Sequence, residues 1–339
     1  MKAPTEAAAV VTRGGGIDAW HFAAIAVVDG DGRLTHTSGD PELVTFARSA
    51  IKPLQALPLL LSGAADALGI DTEEIALASA SHDGSDLHRA VAARLLAKAG
   101  VGPEALRCGA HWPFGLRAVD RYPLAGEDRD PLRHNCSGKH AGFLALARVL
   151  GVAPGRYLES DSPVQRAVQS AVARACEIDE TQLLQAVDGC SAPNFAMPLS
   201  TLARGIKNLA TRGPAGDPFD GALGRVRAAM QAHPMLVSGE KRFDHQLMRA
   251  FPGRIVCKGG AEGLQAMGFS DPPLGIVVKV LDGAERALPP ICVAVLEQLG
   301  LMGRQAAVDL ADRARPPVRN QQGIKTGAVV ATPVLTRVA

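Results

Sequence analysis

Hydrophobic and polar residues change their spacing twice along this chain. Near the start the apolar residues come in short β-type runs. "AAVVTR" ends at a glycine cluster, and "HFAAIAVV" leads through "DGDG" into "RLTHTS". Asp-Gly pairs between such runs predict a hairpin. A helix is expected to begin near Ser49. The stretch "SDLHRAVAARLLAKAG" fits a helix with Ser85 or Asp86 as N-cap and Gly100 as its stop. Helical spacing continues through "GKHAGFLALARVLG", "SPVQRAVQSAVARACEI", "MPLSTLARGIKNLAT", "DGALGRVRAAMQAHP" and "KRFDHQLMRAF". Strand patterns then return. "RIVCKGGAEGLQAMGF" reads as a hairpin, "LGIVVKVLDG" as a buried strand and "GAVVATPVLTRVA" as a last strand, with a helix over "ALPPICVAVLEQLG". The predicted architecture is α/β in the α+β sense. Residues 1–45 and 254–339 form a mixed sheet from both ends, with the helix-rich part, about 49–250, inserted in one 339-residue unit.

Composition narrows the function classes. Hydrophobic residues make up 47% of the chain and aromatics only 4%, so the core must be Ala, Leu and Val. A formal charge of +2 with scattered basic residues argues against a nucleic-acid partner. No apolar run reaches the ~18 residues a membrane helix needs. The N-terminal stretch reads as neither signal peptide nor anchor, so a cytoplasmic protein is expected. Cys108, Cys136, Cys176, Cys190, Cys257 and Cys292 are spread through the chain. Reduced thiols or metal ligands are expected rather than a disulfide framework.

Candidate chemistry begins at "FARSAIKPLQALP", where Ser49 precedes Lys52 by three residues. That spacing shares one helix face. A serine needs a neighbour to remove its proton, and a lysine desolvated by an apolar run can do so. The same spacing serves the Ser-x-x-Lys acylases. An N-cap serine beside a snorkelling lysine is the alternative. A second match, Ser238 with Lys241, looks like a helix start with a solvated lysine. Four more stretches gather reactive groups in loops. They are "ALASASHDGS" with Ser79, Ser81 and His82, "HNCSGKHAGF" with His134, Asn135, Cys136, Lys139 and His140, "VDGCSAPN" with Asp188 and Cys190, and "CKGGAEG" with Lys258. Each alone is an ordinary turn. Cys136 and Cys190 lie too far apart for a CxxC pair. With Lys139 or His134 they would make a partial, open metal site, against two buried reduced thiols.

Taken in order, "TRGGG", "RSAIKPLQALP", "RCGAHWP", "HNCSGKHAGFL", "DGCSAPNFAMPL", "VSGEKRFDHQLM", "KGGAEG" and "DGAERAL" resemble the L-asparaginase II family. These are also called class 3 or Rhizobium etli-type asparaginases. The resemblance runs from about Val10 to Gly300, and "HNCSGKHAG" is its most specific part. It implies a fold similar to serine β-lactamases and serine-lysine glutaminases, and hydrolysis of L-asparagine to L-aspartate and ammonia. It places two Ser-Lys tandems on Ser49 with Lys52 and on Ser81 with Lys258. It also implies a zinc site of Cys136, Lys139 and Cys190, and no organic cofactor. Asp188, Arg48, His82 and Asn135 are expected to bind substrate or support the site, and a homodimer is expected.

The chain departs from the family pattern at Asp83 and Ser85 in "SHDGS", at Ser162, and at Trp20 before His21. Those positions are candidates for contact near the substrate. Rival readings are a glutaminase, a β-lactam hydrolase or another Ser-Lys amidohydrolase, and a non-catalytic protein that binds asparagine or metal. A Ser-Asp-Asn motif is absent, and the "KTG" at Lys325 lies outside the resemblance.

Overall fold

The structure, a computed structural model, describes residues 7–117, 129–213 and 216–338. The two ends of the chain meet in antiparallel sheets. The larger has the spatial order Thr336–Arg337, Leu34–Ser38, Ala23–Val28, Pro273–Val280, Leu264–Ser270, Ile255–Gly260. A second sheet orders Pro317–Arg319, Lys325–Ala331, Ala9–Arg13 and Gly16–His21. The α+β reading holds. In strand direction every pairing among the described residues is antiparallel rather than mixed.

The expected hairpins form where Asp-Gly pairs punctuate the pattern. Ala23–Val28 pairs with Leu34–Ser38 across "DGDG". Ala23–Val28 is buried along its whole length, as a central strand covered on both faces requires. Its register with Pro273–Val280 sets Val277 opposite Ala26 and Val278 opposite Ile25. The helix Leu199–Thr211 packs closely on this sheet, with Ala203 and Lys207 against Gly275 and Ile206 and Ala210 against Gly268. The helix Leu288–Gln298 packs on Pro273–Val280 and Lys325–Ala331.

Two predicted elements differ. "GAVVATPVLTRVA" is not one strand: Lys325–Ala331 and Thr336–Arg337 belong to different sheets. Pro333 lies between them and cannot donate a ladder hydrogen bond. The middle region also carries a third sheet, ordered Val44–Phe46, Pro193–Pro198, Leu184–Val187. "VDGCSAPN" is therefore the turn of a hairpin, with the Asp188 N–H donating to Ala192 and that of Ser191 donating to Asp188. Leu184–Val187 is exposed throughout, so it carries no buried alternation that marks a strand in sequence.

The helix expected at Ser49 is segmented. A 3₁₀ turn over Arg48–Ile51 leads into Lys52–Gln55 and then Leu57–Leu61. Pro53 and Pro58 sit in the first turns of the later pieces, where a missing N–H costs nothing. Beyond it Thr72–Ala78, Asp86–Ala99 and Ser137–Val149 pack together. Gly100 ends the second in the left-handed region, as expected. Ser85 stands at its N-cap without a side-chain capping bond. No described helix is long and apolar enough to cross a membrane.

Candidate active site

Three chain segments converge on one cleft of about 300 Å³ lined by Ser49, Ser81, Asn135, Asp244, Gly260 and Gln265, among others. The first is the 3₁₀ turn that carries Ser49. The second follows Thr72–Ala78, whose start is fixed by a reciprocal capping box between Asp71 and Glu74. Its end delivers Ala80 and Ser81. The third is the strand Ile255–Gly260, which brings Lys258. A Cβ on Gly260 would stand 2.9 Å from the Ala47 carbonyl and 3.3 Å from the Ala50 nitrogen, so the strand passes directly over the Ser49 turn.

The Ser81 hydroxyl donates to Ser49 Oγ at 3.3 Å, and Asn135 Nδ2 donates to Ser81 Oγ at 3.0 Å. His111 Nε2 lies 3.0 Å from Asn135 Oδ1 and orients that amide. Ser49 is half-buried, while Ser81 is nearly closed off. Lys52 is fully buried and donates to the Ala80 carbonyl at 2.8 Å and to Cys136 Sγ at 3.1 Å. Burial pushes its amine below the ordinary lysine range, although Cys136 pulls the other way. Lys258 has a different setting. Its Nζ donates to Asp244 Oδ2 at 2.9 Å and to the Gly259 carbonyl at 2.8 Å. Burial pushes the Asp244 carboxyl up, but Lys258, Gln265 and the Gly259 N–H together hold it below its usual range.

The two predicted tandems thus place both serines in one cleft and both lysines beside it. No direct hydrogen bond joins either serine to its lysine among the described residues.

Behind Lys52 lies a second cluster. Lys139 Nζ donates to Cys190 Sγ at 3.1 Å. Hydrogen bonding with Cys190, aided by the cations of Lys52 and Lys139, holds the Cys136 thiol well below the ordinary range despite its burial. Burial would lower Lys139, but the two sulfurs outweigh it and raise the amine. The buried Nε2 of His140 has no hydrogen-bond partner among the described residues. The three residues expected to hold zinc are therefore together. Among the described residues no three His, Cys, Asp or Glu gather as a metal set, so such a site depends on the lysine amine. Two sulfurs with nitrogen donors suit zinc chemically.

Arg48 has φ of 50°, in the left-handed region. Its Nε donates to Asp188 Oδ1 at 2.8 Å, and its backbone N–H donates to Asn194 Oδ1 at 3.0 Å. Asn194 Nδ2 returns to the Arg48 carbonyl at 3.1 Å. Arg48 and Asp188 therefore hold the serine turn in place beside the cleft. His82 does not line the cleft. It is buried, bonds Ser137 at 3.0 Å and stacks on His88, and burial pushes its ring well below the usual range.

The departures separate as well. Ser162 is a buried N-cap that accepts from the Gln165 N–H, and Trp20 is 56% exposed on the edge strand Gly16–His21. Asp83 pairs with His88 at 3.1 Å, and its carboxylate occupies the space a Cβ on Gly239 would need. Ser238 does not start a helix; it follows Pro234–Val237 and its hydroxyl is buried without a partner among the described residues. Lys241 is exposed and lines the cleft. Sequence reasoning missed Asp244 as the partner of Lys258 and His111 as the partner of Asn135. Both were quoted inside motif stretches, but nothing in their spacing joins them to residues so far along the chain.

The sequence model of the L-asparaginase II family matches residues 9–331, nearly the whole chain. The chain belongs to that family, whose members are L-asparaginase-type amidohydrolases. No curated protein matches it.

Proposed function

We propose that this member of the L-asparaginase II family hydrolyses the side-chain amide of L-asparagine to L-aspartate and ammonia through a serine acyl-enzyme, with Ser49 as the nucleophile. The observation that carries this reading is the contact of the Ser49 and Ser81 hydroxyls in a cleft backed by two buried lysines.

Ser49 Oγ accepts its hydrogen bond from Ser81, which leaves the Ser49 proton for removal by a neutral Lys52. The oxygen attacks the amide carbon. Backbone N–H groups at the cleft would serve the oxyanion. Ser81, oriented by Asn135, passes its proton to the departing nitrogen and is reprotonated by Lys52, so ammonia leaves and Lys52 is neutral again. Water then attacks the ester, loses its proton to Lys52 and returns Ser49 as a hydroxyl. Lys258 donates to Asp244, whose other carboxylate oxygen accepts from Gln265 and the Gly259 N–H and so holds them at the cleft wall.

Cys136, Cys190 and Lys139 would hold the zinc. It would supply Lewis-acid polarisation beside Lys52. These residues also keep the apolar side of the site closed to water.

L-Glutamine, one methylene longer, is the second reading, because a cleft of about 300 Å³ admits both amides. One methylene is worth about 1–3 kcal/mol of discrimination. Ammonia release from the two amino acids tests the reading. Release from asparagine, abolished in a folded Ser49→Ala variant, is expected. Well-folded protein that releases nothing from either amide sinks it, and so does wild-type turnover in Ser49→Ala.

A further inference from the structure

One reactive group of "HNCSGKHAGF" takes no part in the hydrolytic scheme. His140 sits on the helix Ser137–Val149, one residue beyond Lys139, and is fully buried. Its Nδ1 lies 2.7 Å from the Tyr157 hydroxyl. Its Nε2 is shut off from water and meets no partner in hydrogen-bonding geometry among the described residues. Burial lowers the ring, and the Cys190 sulfur is the group that pulls it back. With Nδ1 taken by Tyr157, Nε2 is the nitrogen left to face that sulfur.

Counting protons fixes what Nε2 carries. The Tyr157 oxygen accepts the Arg107 backbone N–H at 2.9 Å. The phenol keeps one proton of its own to give, because burial raises the group above its ordinary range. Tyr157 is closed to solvent, so that proton needs a partner inside the protein. Among the described residues His140 Nδ1 is the one acceptor within its reach. Nδ1 therefore accepts, and the ring's own proton stands on Nε2. A proton on Nδ1 would leave the buried phenol proton without a partner. The phenol is also fixed in place. Gln165 Nε2 donates to the Tyr157 carbonyl at 2.8 Å, and the two rings meet edge to face at 5.6 Å.

We propose that Tyr157 and His140 form a relay that aims an N–H at the Cys190 sulfur and holds that sulfur in place for the zinc. The proposal rests on reading Cys136, Lys139 and Cys190 as the zinc set. It goes beyond that reading by making His140 a positioning residue and not a fourth ligand, since a proton occupies the Nε2 lone pair. Lys139 donates to Cys190 at 3.1 Å, but its amine gives up that bond when it turns to the metal. His140 is then the donor that remains. Outer donors of this kind set ligand orientation, and their loss costs about tenfold to hundredfold in metal affinity.

The experiment measures zinc affinity at fixed pH by competition with a chromophoric chelator, in wild type, His140→Phe, His140→Gln and Tyr157→Phe. The same proteins are loaded with cobalt(II), and their absorption bands report the ligand set. His140→Phe and Tyr157→Phe are expected to lower zinc affinity about tenfold to hundredfold. His140→Gln keeps an N–H near the place of Nε2 and is expected to stay near wild type. Cobalt bands are expected to keep their wild-type positions in all three. Tyr157→Phe removes a single oxygen and carries the test if His140→Phe does not fold. Unchanged affinity in either folded Phe variant overturns the relay while the zinc reading stands. A His140→Gln loss as large as that of His140→Phe also overturns it, and shifted cobalt bands would then make His140 a ligand. If wild type takes up neither metal, the zinc reading fails and the relay fails with it.

Discussion

The two walls of the cleft each bury a lysine, and the two lysines are kept in opposite ways. On the helical wall Lys52 meets a carbonyl and the Cys136 sulfur and no carboxylate, and burial outweighs the upward pull of that sulfur. On the strand wall Lys258 meets Asp244 in a buried ion pair, with the second carboxylate oxygen satisfied by Gln265 and the Gly259 N–H. Burial weakens the cationic form of an amine, and a fully bonded carboxylate restores it. The same residue type is thereby poised to take up a proton on one wall and tied into an ion pair on the other. The neighbours, not the Ser-x-x-Lys spacing, assign the roles.

The sharpest way to break the comparison is to remove each member in turn. Ser49→Ala and Lys52→Met are expected to lower kcat by at least about a thousandfold, the scale of a lost nucleophile or base. Their unfolding midpoints are expected to stay near wild type, which circular dichroism on melting checks. Lys258→Met should show the reverse emphasis in stability. It strands the buried Asp244 charge and is expected to cost about 3–5 kcal/mol in denaturant unfolding. A smaller loss in Lys258→Met than in Lys52→Met would undo the assignment.

The pH dependence of stability sharpens the strand wall. Asp244 has a carboxyl held below its ordinary value in the folded state. Its contribution is therefore complete above the unfolded value of about 3.9 and is lost as pH falls through the lower folded value. The stability gap between wild type and Asp244→Asn is expected to shrink as unfolding is repeated below about pH 4. On the helical wall, Cys136→Ser and Cys190→Ser are each expected to lower the zinc content of protein purified with zinc, read by elemental mass spectrometry. Full zinc in both variants removes the proposed ligand set. The smallest effect belongs to a site outside the cleft. Ser162→Ala loses an N-cap and is expected to cost about 1 kcal/mol with kcat/KM unchanged.

Much of this was legible before any coordinates. Period-2 runs at both ends and period-3.6 runs between them predicted sheets from the termini and inserted helices. Asp-Gly turns predicted the first hairpin. The motifs gave Ser49, Ser81, Lys52, Lys258 and the thiol cluster as a set that meets in space. Legibility failed where the physics is long-range. The pairing of Leu184–Val187 with Pro193–Pro198 and of Val44–Phe46 with Pro193–Pro198 leaves no periodic trace, because one strand is exposed and another has three residues. His82 looked like a site residue because it sits with Ser79 and Ser81 in a loop dense in reactive groups. Its ring is buried against Ser137 and His88 and does not line the cleft. Ser162 stood out only as a departure from the family pattern, and it is a helix cap.

The passage of Ile255–Gly260 over the Ser49 turn has a consequence for the timing of activity. Synthesis makes both serines, Lys52 and the thiols long before Lys258 and Gly260 leave the ribosome. The cleft lacks a wall until that late edge strand, more than two hundred residues after Ser49, docks over the Ser49 turn. A nascent or truncated chain therefore holds every helical-wall group and no working site. Appearance of activity marks completion of the fold rather than the arrival of any one residue, and reunion of separately made halves at this seam is the event that a split-chain reporter would detect.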